Sequence, residues 1–132
     1  MRATRVILVE DDEDDKDLFH SFIGSRADIV LLPTVGNGLE LKEYLENAKD
    51  DELPDLIVLD QNMPMMNGKQ TLKFLKNSDR FADIATVVYS TYADSTLIED
   101  CKKLGAIIVA SKPIDQEGYE KMMDEFLTVF QE

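Results

Sequence analysis

Two hydrophobic rhythms alternate along the chain. Short apolar runs, many of them β-branched, occupy residues 5–9, 29–32, 55–59, 86–89 and 107–110. They are too short for helices and read as strands. Between them the apolar residues recur at helical spacing: Leu18, Phe19, Phe22 and Ile23 in one segment, Leu41, Tyr44, Leu45 and Ala48 in the next, then Leu72 and Leu75. A fourth helix is predicted from an Asp94 or Ser95 cap to Leu104, and a fifth from Asp115 onward with Tyr119, Met122, Met123, Phe126, Leu127 and Phe130 as its apolar stripe. Asp12 is the expected cap of the first helix, and Gly24 and Gly105 are the expected stops of the first and fourth. Five β-α units of this kind predict an α/β fold with a five-stranded parallel sheet and helices on both faces. The 55–59 run lacks polar alternation, as a central strand covered on both sides should.

The polar residues that end these runs are the informative ones. Glu10 and Asp11 follow the first strand, Asp60 the third, Ser90 the fourth and Lys112 the fifth. In a parallel sheet all five share the carboxyl edge, where open α/β sheets bind ligands. Right-handed crossovers with one reversal of strand order place strands one and three side by side, so Asp60 faces Glu10 and Asp11. Three carboxylates in one crevice repel one another, and a hard divalent cation held by oxygen ligands resolves the conflict. Hydrogen bonding of strand-end acids to loop amides is the structural alternative. Lys112 and Ser90 favour the chemical reading: a nucleophilic carboxylate, a cation, an ammonium and a hydroxyl are the parts of phosphoryl transfer onto Asp60. Lys112 also precedes Pro113, so that peptide bond is a candidate for the cis form. Glu13, Asp14 and Asp15 read as a solvated first turn favoured by the helix dipole.

Composition narrows the remaining classes. The 132 residues suit one domain, and 14 basic against 27 acidic residues give a net charge of -13. Such a field repels nucleic-acid phosphates and anionic lipid surfaces. Cys101 is the single cysteine, which excludes an internal disulfide and fits a reducing compartment. No stretch suits a signal peptide or a bilayer span, so a soluble cytoplasmic location is expected.

The motifs ILVEDDEDD, PDLIVLDQNMPMMNG, VVYST and SKP, in that order across essentially the whole chain, resemble the response-regulator receiver domain, of the stand-alone kind related to the chemotaxis receiver. The resemblance implies strand order 2-1-3-4-5, a single receiver over residues 1–132 with no output domain, and two-component phosphorelay signalling. It implies that Asp60 accepts a phosphoryl group from a phosphohistidine on a sensor histidine kinase or histidine phosphotransfer protein. Glu10, Asp11, Asp60 and the backbone carbonyl of Asn62 would hold Mg²⁺, and Asp12 would be an outer contributor. Ser90 takes the place of the family's switch hydroxyl, Lys112 that of its lysine, and the Lys112–Pro113 bond is expected to be cis. The signal then leaves by contact with a downstream protein or by onward phosphotransfer, and the chain is no enzyme beyond assisting its own phosphorylation and dephosphorylation.

One position departs from the pattern. Val109 stands where the family commonly has a rotating Tyr or Phe, and a β-branched side chain cannot copy that motion. A phosphorylation-independent pseudo-receiver is therefore the alternative function. Tyr92, two residues after Ser90, is either a half-exposed loop aromatic or a shield that lengthens the phosphorylated lifetime. A phosphatase using Asp60 as nucleophile would want a general acid two residues on, where Asn62 cannot serve. Gly36-Asn37-Gly38 reads as a turn, His20 as a surface residue, Met63, Met65 and Met66 as loop packing, and Cys101 as a small helix residue.

Overall fold

A computed structural model describes residues 2–131. Strand β1 (Thr4–Val9) leads into α1 (Glu13–Ile23), β2 (Ile29–Leu31) into α2 (Gly38–Asn47), and β3 (Leu56–Asp60) into α3 (Gly68–Lys76). Then β4 (Ala85–Ser90), α4 (Ser95–Lys103), β5 (Val109–Ser111) and α5 (Gln116–Gln131) complete the five units. All pairings are parallel and the order is β2-β1-β3-β4-β5. The predicted fold class is therefore the observed one. A short 3₁₀ turn, Asp50–Glu52, fills the α2 to β3 connection.

Strand alternation divides the core in two. Val6, Leu8, Leu56, Val58, Val87 and Tyr89 face α1 and α5, where they meet Phe19, Ile23, Tyr119, Met123 and Phe126. Ile7, Val9, Ile57, Leu59 and Val88 face α2, α3 and α4, where Leu41, Leu45, Leu72, Leu75, Leu97 and Cys101 close over them. Both faces of β1 and β3 are thus removed from water, which is why those runs contain no polar alternation.

Local chemistry sets the helix starts. Asp12 accepts a hydrogen bond from the Asp15 amide, Asn37 from Glu40, Asn67 from Gln70 and Asp94 from Leu97, each satisfying a backbone donor that a first turn leaves free. At α3 the Gln70 side chain also reaches back to the Asn67 amide, a reciprocal box. Gly105 sits at φ +111°, a left-handed conformation that stops α4 without a Cβ penalty. Gly24 ends α1 in right-handed geometry instead, because its amide is still bonded to the His20 carbonyl as the helix frays into a turn.

Candidate functional site

Parallel register brings the ends of β1 and β3 together: Val9 pairs with Leu59, so Glu10 and Asp60 emerge side by side on the α1–α5 side of the sheet. Glu10 is fully buried and Asp60 is 2% exposed, while Asp11 next door is open to solvent. One carboxylate oxygen from each of Glu10, Asp11 and Asp60 lies within 4.8 Å of the others. The convergence expected of the three acids is present.

Lys112 reaches this cluster from the end of β5, anchored by its own amide donating to the Ser90 carbonyl at 2.8 Å. Its ammonium lies 2.7 Å from Asp15 Oδ2, 3.0 Å from Glu10 Oε1 and 3.3 Å from Asp60 Oδ1, and 5.0 Å above the ring of Tyr89. The Tyr89 hydroxyl donates to Glu10 Oε1 at 2.6 Å. On the other oxygen, Glu10 Oε2 accepts the Asp12 amide at 3.2 Å. A carboxylate offers about four acceptor positions. Three of those on Glu10 are therefore taken, and it has room for one further contact, through Oε2.

Two expectations need correction. No peptide bond among the described residues is cis, so Lys112–Pro113 is trans. The trans form is the intrinsically favoured one even before proline, and the Lys112 ammonium is already oriented by three carboxylates and an aromatic face. Asp15 is also no solvated first-turn acid: it stands four residues before the buried Phe19, on the same inward stripe of α1, and this carries it to Lys112. That spacing is visible in the chain. Tyr89 is a further participant, and the sequence marks it only as an apolar strand residue. It projects opposite to Ser90, and neither strand periodicity nor hydropathy signals that its hydroxyl meets Glu10.

Ser90 is buried one residue beyond the Asp60–Tyr89 register pair, and its Oγ accepts the Tyr92 amide at 3.3 Å. Tyr92 itself is 77% exposed. It rims an open depression of about 360 Å³ together with Gln61, Asn62, Lys69, Ser90 and Thr96, and the lining of this depression does not include Glu10, Asp11, Asp60 or Lys112. Val109 packs partly buried against the α2–α4 core. His20 is exposed and shares a 2.7 Å hydrogen bond with the Thr34 hydroxyl, away from the crevice. Of the three loop methionines, Met63 is buried packing and Met65 is 78% exposed at φ 66°.

The electrostatics follow from burial. Desolvation, then the Glu10 charge, pushes the Asp60 carboxyl up to about 7, against the opposing pull of Lys112. Burial draws the Lys112 ammonium down, but its hydrogen bonds to Asp15 and Glu10 and the charge of Asp60 outweigh this and hold its pKa above the ordinary lysine value. Burial, and next the Glu10 charge, also raises the Tyr89 hydroxyl, which stays a donor. Asp60 Oδ1 is buried without a hydrogen bond, its approach to Lys112 being an ion pair only. A buried carboxylate oxygen left without a donor, beside two further acids with free oxygens, is a donor set suited to a hard divalent cation.

Comparison with known proteins agrees with this geometry. The model of the response regulator receiver domain matches residues 6–124. A protein-glutamate methylesterase/protein-glutamine glutaminase of Bacillus licheniformis is 33% identical over 83% of this chain, a match that spans 29% of the relative. The chain thus covers about a third of such methylesterases. The sporulation initiation phosphotransferase F of Bacillus subtilis is 30% identical over 69% of this chain and 68% of its own length. Among solved structures, the phosphorylated cyanobacterial phytochrome response regulator RcpA superposes with a TM-score of 0.75 at 26% identity, covering 98% of this chain and 90% of its own.

Proposed function

The chain belongs to the response regulator receiver domain family, and from that premise we propose that it is a phosphoacceptor switch in which Asp60 takes a phosphoryl group from a phosphohistidine. The carboxylate oxygen of Asp60 attacks phosphorus, the P–N bond breaks, the imidazole leaves with the electron pair, and an acyl phosphate remains. The observation that carries this reading is the buried, unbonded Asp60 Oδ1 set between two acids and the Lys112 ammonium.

Glu10, Asp11 and Asp60 would hold Mg²⁺, joined on this reading by the backbone carbonyl of Asn62, two residues after Asp60. When bound, the ion supplies positive charge to the phosphoryl oxygens and to the crowded acids. The chain's own contributions are distinct. Lys112 brings a second positive charge within reach of Asp60 and favours the ionised carboxyl, as a nucleophile must be. Ser90 offers a hydroxyl that needs only to turn its proton from the long 3.5 Å contact with the Tyr92 carbonyl to donate to a new oxygen, while still accepting the Tyr92 amide. Burial of Asp60 limits the access of competing water. No external metabolite is turned over; the chain assists only its own phosphorylation and its reversal.

The partners on this reading are a sensor histidine kinase or a histidine phosphotransfer protein, and a downstream protein that reads the modified state. Of the relatives, the sporulation initiation phosphotransferase favours onward phosphotransfer by its name, and the methylesterases extend well beyond the matched region. A cytoplasmic site of action goes with these partners; no helix among the described residues is long and apolar enough to cross a membrane. The test is incubation with Mg²⁺ and a small phosphodonor such as acetyl phosphate, followed by intact mass. A gain of one phosphoryl group that Asp60→Asn abolishes is expected. No gain in the unsubstituted chain would return the function to a phosphorylation-independent interaction module.

A further inference from the structure

The closest partner of the Lys112 ammonium is a residue that the phosphoacceptor reading leaves unused: Asp15 at 2.7 Å, nearer than Glu10 at 3.0 Å or Asp60 at 3.3 Å. Both groups are shielded, with the Lys112 side chain 9% and that of Asp15 25% exposed. Asp15 belongs to α1 and Lys112 to the end of β5, so the pair spans from a helix to the far half of the sheet. A second oddity lies beside it. Tyr119, on α5, is fully buried in edge-to-face contact with Phe19, and its hydroxyl has no hydrogen-bond partner. Asp15 stands one helical turn before Phe19, the ring that Tyr119 meets edge to face, and burial followed by the Asp15 charge holds the hydroxyl up to about 12. A buried donor without an acceptor is costly and calls for an explanation.

We propose that Asp15 is a positioning residue that holds Lys112 in the unphosphorylated protein and competes for its ammonium with a phosphoryl group on Asp60, and that the Tyr119 hydroxyl takes over Asp15 when Lys112 moves. This inference rests on the phosphoacceptor reading above. An ammonium has three donors, and at rest this one sits among three carboxylates with its shortest contact, a hydrogen bond, made to Asp15. A dianionic phosphoryl group at Asp60 adds acceptors on one side only, drawing Lys112 away from α1. Asp15 is then left partly shielded with no cation, one helical turn from the ring that packs against Tyr119, whose hydroxyl has nothing to donate to. The exchange alters the seam between α1 and α5, whereas Val109 lacks the aromatic needed for a rotation at β5. Asp15 thereby sets how firmly the phosphoryl group holds Lys112.

The experiment titrates the protein with beryllofluoride, a tetrahedral phosphoryl mimic, at fixed saturating Mg²⁺, following backbone amide shifts by NMR. Asp14→Asn removes an exposed charge one residue away and reports the general electrostatic effect. Relative to it, Asp15→Asn is expected to tighten beryllofluoride binding about three- to ten-fold, a range set by a partly exposed ion pair. Asp15→Ser serves as a second variant with the same expectation. Tyr119→Phe is expected to weaken binding by a similar factor while leaving the melting temperature without the mimic unchanged or higher, since its hydroxyl bonds nothing there. Asp15 variants no tighter than Asp14→Asn overturn the competition, and unchanged binding in Tyr119→Phe overturns the handover. Binding to the unsubstituted chain that Asp60→Asn abolishes secures the phosphoacceptor reading independently of either result; no binding at all overturns both.

Discussion

Asp60 is held in an environment that penalises its charge. Its side chain is 3% exposed, Glu10 lies against it, and Lys112 is divided among three acids, so burial and repulsion together lift its carboxyl to about 7. Between the ordinary carboxylate range and about 7 the folded protein keeps a proton that the unfolded chain has lost. Stability of the metal-free protein therefore falls as pH rises through that window. Asp60→Asn removes the penalty, and chemical denaturation at about pH 7.5 without metal should show it more stable by about 1–3 kcal/mol, with a flatter pH dependence. An Asp60→Asn protein less stable than the parent at that pH would mean Lys112 outweighs Glu10. Tyr92 carries a kinetic expectation. The residue is exposed and lines a depression with Asn62 and Ser90; if its ring shields the phosphorylated residue from water, Tyr92→Glu should shorten the phosphorylated half-life several-fold, read as the decay of the phosphorylated mass. An unchanged half-life removes the idea.

At the level of elements, α3 shows how a helix start can serve both stability and the site. Asn67 and Gln70 cap it reciprocally, and Gly68, its first residue, lets it press against the end of β3. A Cβ at Gly68 would come 2.9 Å from Gln61 Cα and 3.0 Å from the Asp60 carbonyl oxygen, both of them backbone atoms that cannot rotate aside. Asn67→Ala should cost about 1 kcal/mol in thermal unfolding and leave Mg²⁺ affinity alone. Gly68→Ala should cost about 1–3 kcal/mol and also weaken Mg²⁺ binding, because relief of the clash displaces the segment that carries Asp60 and Asn62. Equal affinities in the two variants would show that α3 can shift without the site. Capping of this kind is readable in advance: Asp12 and Asp94 stand where polar residues precede helical periodicity. Strand ends are less readable. The 107–110 run predicts β5, yet the strand is Val109–Ser111, because Ile107 donates to Thr86 outside the ladder and pairing begins only at Val88–Val109.

For the molecule as a whole, folding gathers negative charge at one sheet edge of an already acidic chain, so metal binding and stability are linked. At about ten times its dissociation constant, Mg²⁺ should add about 1.4 kcal/mol, raising the melting temperature by about 3–5 °C, reversed by EDTA and absent in Asp11→Asn. No shift in the parent would argue against the acids as ligands. The sequence alone determined the alternation of strands and helices, the parallel sheet, the adjacency of strands one and three, and the convergence of residues 10, 11, 60 and 112 at one sheet edge, because hydrophobic period and the handedness of crossovers leave few ways to bury those faces, while the full strand order was legible only through the family resemblance. Tertiary structure alone decided which partner each polar group takes. Asp15 rather than solvent for Lys112, the Tyr89 hydroxyl for Glu10, the idle Tyr119 hydroxyl and the trans bond before Pro113 all depend on how groups from different elements meet or fail to meet. Period and propensity act along the chain, whereas hydrogen bonds and ion pairs are settled by distances across it.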